Sequence, residues 1–187
     1  TLLRSEAGAN VSNAFGASPL SQAARVANPD MVAMLLDAGA DPDMANSDGQ
    51  TPLMLAAWTG VVEVAELLIN HGANVNAEEI WTGQSALMWA ASRNHPDMAE
   101  LLIASGADVR VRARTFDWER QITSEPRNQY RPAGGLTPLL YATRSGCLRC
   151  VQAIIEAGAD VDMPTPEGVT PLIVAIDTFN FQTAHFL

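Results

Sequence analysis

Five stretches of this chain are variations on one another. They read "GASPLSQAA" from residue 16, "GQTPLMLAA" from 49, "GQSALMWAA" from 83, "GLTPLLYAT" from 135 and "GVTPLIVAI" from 168. Their hydroxyl residues are Ser18, Thr51, Ser85, Thr137 and Thr170, spaced by 33, 34, 52 and 33 positions. Self-similarity at such a period excludes a fold built around one central core. Each unit has an apolar face too small to fold alone and must bury it against its neighbours.

The residue types say what each unit begins with. A Ser or Thr at a helix N-cap accepts a hydrogen bond from a backbone N–H one turn in. Proline at the first helical position loses nothing, because its missing N–H would have had no partner there. Pro19, Pro52, Pro138 and Pro171 follow four of the hydroxyls, with Ala86 the exception. A second signal closes each unit. Gly8, Gly39, Gly72, Gly106 and Gly158 end apolar runs such as "MVAMLL", "VAELLI", "MAELLI" and "VQAIIE". They suit the left-handed position that ends many helices. About a dozen polar residues then lead to the next hydroxyl, room for a hairpin-like turn. The unit is predicted to be helix, loop, helix and projecting loop. Leu20, Leu53, Leu87, Leu139 and Leu172, with nearby alanine pairs, are expected to form a continuous packed seam.

At this point the chain resembles the ankyrin repeat, whose period is about 33 residues and whose signature is T-P-L-H-x-A. The resemblance spans nearly the whole chain. The histidine usual after the leucine is replaced by Ser21, Met54, Met88, Leu140 and Ile173, so its usual polar tie between units is missing and a more apolar stack is expected. The implied fold is an all-α helix-pair solenoid with projecting β-hairpin loops and one long finger insertion. The expected division is 1–12 as the tail of a preceding repeat, repeats at 13–45, 46–78 and 79–112, a finger at 113–131, a repeat at 132–164 and a truncated one at 165–187. The absence of polar capping repeats suggests a window cut from a longer protein.

The spacing of 52 places nineteen extra residues at one loop tip. The entry, "VRVRARTFDWER", alternates, with Arg110, Arg112, Arg114, Phe116, Trp118 and Arg120 on one side of an extended strand and Val109, Val111 and Ala113 on the other. Residues 110–131 carry six arginines against three acids. Two readings follow: a cationic, aromatic finger that contacts an acidic or aromatic partner surface, or arginines folded back on Asp48, Glu78 and Glu79 to brace the array. The contact reading is preferred, since long loops in compact domains usually carry function.

The ankyrin resemblance implies a binding scaffold, gripping through hairpin tips and the inner helices. The residue seven positions after each hydroxyl should face outward, which gives Arg25, Trp58, Ser92, Arg144 and Asp177. Trp58, flanked along that ladder by arginines, has the composition of an interface hot spot. Trp81 is expected at a tip and Trp89 in the core. The partner-binding set is therefore Arg25, Trp58, Trp81, Arg93, Arg112, Arg114, Phe116, Trp118, Arg120, Arg144 and Asp177, and the expected partner is another protein.

Other chemistry finds little support. The net charge of −10 disfavours nucleic acid, whose binding rests on neutralised phosphates. No apolar run approaches the ~18 residues of a membrane span. Cys147 and Cys150 stand three apart at a helix start, which fits a redox pair. Cys150 also aligns with Met31, Val64 and Met98, a packing position, and packing is preferred. No metal site is expected from two thiols without further ligands. "DPD" at 41–43 with Asp48 lacks calcium-loop spacing. His71, His95 and His185 pair with no nucleophile in the pattern. No catalytic residue or cofactor is expected. The alternatives are a regulatory or targeting array of a longer enzyme, or a thiol redox protein using Cys147 and Cys150. Similar arrays in bacteria are exported or cytosolic, and the full-length chain is expected to be a monomer.

Overall fold

A computed structural model describes residues 8–116 and 134–187 of the chain. Among the described residues there are ten helices and no strand. They run as five pairs: α1 (Pro19–Arg25) with α2 (Pro29–Asp37), α3 (Pro52–Thr59) with α4 (Val62–Asn70), α5 (Ala86–Ser92) with α6 (Pro96–Ala104), α7 (Pro138–Ser145) with α8 (Leu148–Glu156), and α9 (Pro171–Asp177) with α10 (Phe181–Phe186). First helices pack on first helices and second on second, each pair touching the pairs before and after it. The arrangement is a solenoid. Among the described residues no helix exceeds nine residues, too short to be stable alone, so packing supplies the stability.

The start signals act as expected in four units. Side-chain oxygens of Ser18, Thr51, Ser85 and Thr137 accept from the N–H groups of Ser21, Met54, Met88 and Leu140 at 3.1, 3.3, 3.5 and 3.3 Å. Thr170 has the extended cap conformation but makes no side-chain cap bond. The helix-ending glycines Gly39, Gly72, Gly106 and Gly158 all have positive φ.

Leu20, Leu53, Leu87 and Leu139 are buried, with Ala23, Ala24, Ala56, Ala57, Ala90, Ala91 and Ala142 beside them. Alanines at these places let the helices approach closely. The residues standing for the missing histidine are buried too: Ser21, Met54, Met88 and Leu140. The seam stops short of its expected fifth member. Leu172 and Ile173 are exposed, because burial at these positions needs a helix pair stacked beyond α9, and none is described there. Met31 likewise stands exposed, while its counterparts Val64, Met98 and Cys150 are fully buried.

Trp89 departs from expectation as well. It is only half-buried at the edge of the core, its ring meeting Trp58 edge-on with centroids 5.5 Å apart.

Candidate interaction surface

The loops that leave each second helix do not project independently. Asn10 bridges to the next unit, donating to the Gly39 carbonyl at 3.1 Å and accepting from Asp41 N–H at 2.7 Å. Asp43 accepts from Asn74 N–H at 2.8 Å, and Asn76 contacts Gly106 O and Asp108 N–H at 3.0 and 2.8 Å. Arg110 Nε donates to Gly158 O at 3.2 Å. Residues 10, 43, 76 and 110 therefore make one polar ladder along the stack. It supplies the ties between units that the substituted histidines do not.

Further out, the loop tips are chained by backbone bonds. Ser47 N–H donates to Phe15 O, Ile80 N–H to Asp48 O and Arg114 N–H to Thr82 O, at 3.0, 2.9 and 2.6 Å. Each turn is closed from inside by one side chain. Asn13 Oδ1 accepts from Phe15 and Ala17 N–H, and Asn46 Oδ1 from Asp48 and Gln50 N–H. The third tip is one residue longer, and there the longer side chain of Glu79 takes the place of asparagine. Its Oε2 accepts from Trp81 N–H at 2.7 Å, and its Oε1 from Thr82 N–H at 2.7 Å and Gln84 N–H at 3.0 Å, with the Thr82 hydroxyl added. Glu79 is only 4% exposed. Burial pushes its carboxyl up, but the hydrogen bonds from Thr82, Gln84 and Trp81 outweigh this and hold it below the ordinary carboxylate range. The turn so fixed presents Trp81, 65% exposed, whose indole N–H reaches Asp48 Oδ1 at 3.2 Å.

The insertion leaves the array from a pinned base. Ala113 N–H donates to Leu136 O at 3.0 Å and Gly135 N–H to Arg114 O at 2.9 Å, and Thr115 bridges Gly134. Over residues 109–114 the expected alternation holds in part, with Val109 and Ala113 buried and Arg110 and Arg114 exposed. The described part of the segment forms no strand, and Thr115 and Gly134 make an isolated bridge. Its described arginines turn back on the array, and the acceptors of Arg110, Arg112 and Arg114 are backbone carbonyls instead of Asp48, Glu78 or Glu79. Arg112 donates to Gly135 O at 2.9 Å and Pro164 O at 2.8 Å, and Arg114 donates to Ile80 O. Asp48 and Glu79 are engaged by Trp81 and by the Glu79 turn itself. Phe116 is half-buried, and Trp118 and Arg120 lie outside the described residues.

Arg112 ties the base of the insertion to the loop before α9. Arg112→Ala should therefore lower stability by about 2 kcal/mol, the worth of charge-assisted hydrogen bonds to partly buried acceptors. Arg112→Lys should recover less than half of that, because an ammonium lacks the planar fork that spans both carbonyls. Urea midpoints of the three proteins test this. An Arg112→Ala midpoint equal to wild type would show that the bonds contribute nothing.

The first helices carry the other candidates. Arg25, Trp58, Arg144 and Asp177 are exposed, and Ser92 is half-exposed. Arg93, at the end of α5, lays its guanidinium carbon 3.1 Å from the Trp58 ring centroid, a cation–π stack. With Trp89 against its edge, Trp58 is held on two sides and still 46% exposed. His95 Nε2–H donates to Trp58 O at 3.2 Å, and a Cβ at Gly60 would lie 2.6 Å from His95 Nδ1. Glycine there lets the imidazole close over the backbone. Arg144 lies 5.2 Å from the ring of Tyr141. Burial pushes the Tyr141 phenol up, only partly offset by Arg144, and its oxygen accepts from Gln84 Nε2 at 2.8 Å.

The family model for ankyrin repeats in three copies matches residues 1–79, 20–113 and 120–187. The chain belongs to the ankyrin repeat family. No curated protein matches it. Ankyrin repeats are in general protein–protein interaction modules and non-catalytic scaffolds.

In this ankyrin array Cys147 caps α8, its sulfur accepting from Cys150 N–H at 3.2 Å. The two sulfurs are bonded to each other, with Cα atoms 5.2 Å apart, an ordinary span for a disulfide. Both residues are buried. Alkylation should accordingly need reductant and denaturant together. Iodoacetamide mass labelling checks this, and fast labelling of the reduced but folded array would show the thiols to be accessible. Sequence reasoning missed the ladder residues Asn10, Asp43 and Asn76 and the turn anchors Asn46 and Glu79. The "D" and "N" four positions after Gly39 and Gly72 were the available signal for Asp43 and Asn76.

Proposed function

We propose that this ankyrin array is a non-enzymatic scaffold that grips a partner protein through its first-helix face, its loop tips and the finger insertion. One observation carries the reading. Trp58 is packed between Arg93 and Trp89 yet nearly half exposed, an arrangement that offers a large aromatic surface to a partner. Arg25, Arg144 and Asp177 extend that face along the stack, and Trp81 adds a contact at the tips. Arg112 and Arg114 hold the base of the finger. Contacts from the finger fall to Phe116, Trp118 and Arg120.

A photo-crosslinking residue placed in turn at Ser92, Trp81, Trp118 and Glu66 tests this in source-cell lysate. Adducts are expected at the first three positions and not at Glu66, which lies exposed on a second helix. Adducts confined to Glu66, or substrate turnover by the purified chain, would overturn the proposal.

A further inference from the structure

The exposed charges of the array are sorted by helix. The second helices carry Asp30, Asp37, Glu63, Glu66, Asp97, Glu100 and Glu156, all exposed, against the single Arg149. The first helices carry Arg25 and Arg144, with Arg93 at the end of α5, against the single Asp177 in α9. In a chain of net charge −10 these arginines stand apart from the seven acids of the second helices. Arg149 shows what an arginine near the second helices does: it meets Asp97 at 2.8 Å and Glu100 at 2.9 Å. Among the described residues no carboxylate lies within ion-pair reach of Arg25, Arg93 or Arg144. Arg25 rests on Gln22 Oε1 instead, and Arg93 and Arg144 lie against Trp58 and Tyr141.

We infer that the first-helix face from α1 to α7 binds an acidic segment of its partner, with an apolar side chain of that segment seated on Trp58. This rests on the scaffold reading above and names the chemistry of the partner. Guanidiniums stacked on aromatic rings keep their outward N–H groups for carboxylates while the ring supplies apolar contact. Four first helices at ~8–10 Å spacing span about 30 Å, and an extended peptide rising ~3.3 Å per residue covers that in about nine residues. Asp177 in α9 ends the cationic row, so carboxylates beyond that length meet repulsion. Nucleic acid is the poorer fit, since the exposed acids of the second helices repel its phosphates on approach.

The probe is a fluorescein-labelled acidic peptide of about twelve residues, glutamate and aspartate around one central phenylalanine, read by anisotropy and by tryptophan emission, with Trp58→Phe identifying the share of Trp58. Saturable binding is expected, weakening steeply with salt. The combined Arg25→Ala, Arg93→Ala and Arg144→Ala variant should lose about tenfold or more in affinity, and Arg149→Ala should lose none. Arg93→Lys keeps the charge without the planar stack and should lose an intermediate amount, a readout that does not depend on the triple variant folding. Equal affinity of wild type and triple variant, or no saturable binding at low salt, overturns the inference. So does displacement of the peptide by oligothymidylate, or burial of Trp58 in a self-associated species seen by sedimentation. Crosslinks at Ser92 that persist when the peptide fails to bind would reject the acidic chemistry alone and leave the scaffold reading standing.

Discussion

Truncating Leu87 to alanine is expected to lower stability by about 3 kcal/mol and to split one unfolding transition into two. Leu87 is fully buried in α5, between α3 on one side and α7 on the other. The cost has two parts, the lost transfer free energy of the side chain and the cavity left where close-packed neighbours cannot collapse. The splitting follows from the architecture. Each pair touches only adjacent pairs, so weakening the middle one loosens both of its interfaces and lets the flanking segments unfold separately. Leu172 holds the same place in the last pair but is exposed, and Leu172→Ala should cost less than about 1 kcal/mol. Urea unfolding followed by circular dichroism and tryptophan fluorescence measures both. Equal losses for the two variants would contradict the stacking account.

Glu79→Ala should cost about as much, ~3 kcal/mol, by a different route. The carboxylate satisfies three backbone N–H groups in a turn one residue too long for asparagine to close. Alanine leaves those donors without an acceptor, and Trp81 loses the turn that presents it. Glu79→Gln separates charge from shape. Because the folded-state pKa of Glu79 is depressed, its contribution is present above the ordinary glutamate pKa of about 4.3 and is lost as pH falls through the lower folded value. Wild-type stability should therefore fall more steeply than that of Glu79→Gln as pH drops from about 5 to 3. Parallel pH profiles for the two proteins would show that Glu79 is not the group responsible.

What the sequence disclosed was what repeats. Hydroxyl–proline pairs mark helix starts and glycines mark helix ends through local backbone chemistry, so the ten helices and their pairing were legible without coordinates. Burial at the ends was not, because Leu172 and Leu87 are the same residue in the same motif and differ only in whether a further pair covers them. The insertion shows another limit. Its arginines were visible as charge, and charge suggested carboxylate partners. The acceptors of the described Arg110, Arg112 and Arg114 are carbonyls, set by where the neighbouring loops run, which composition does not encode. The Arg93–Trp58 stack was half visible: both residues were candidates, but their contact depends on how one helix end lies over the preceding first helix. Glu79 was read as an acceptor for the arginines and not as a turn anchor, because an acid in a polar loop reads as a solvated one, and its burial follows from the length of its turn.

The paired rungs at 113/136 and 114/135 have an evolutionary corollary. They fasten both feet of the extra segment to a hairpin that would close without it, so the intervening residues form a replaceable cassette. Drift, duplication or an engineer can rewrite that cassette, or open the chain there to give a circular permutant, while the stacked helices keep their register.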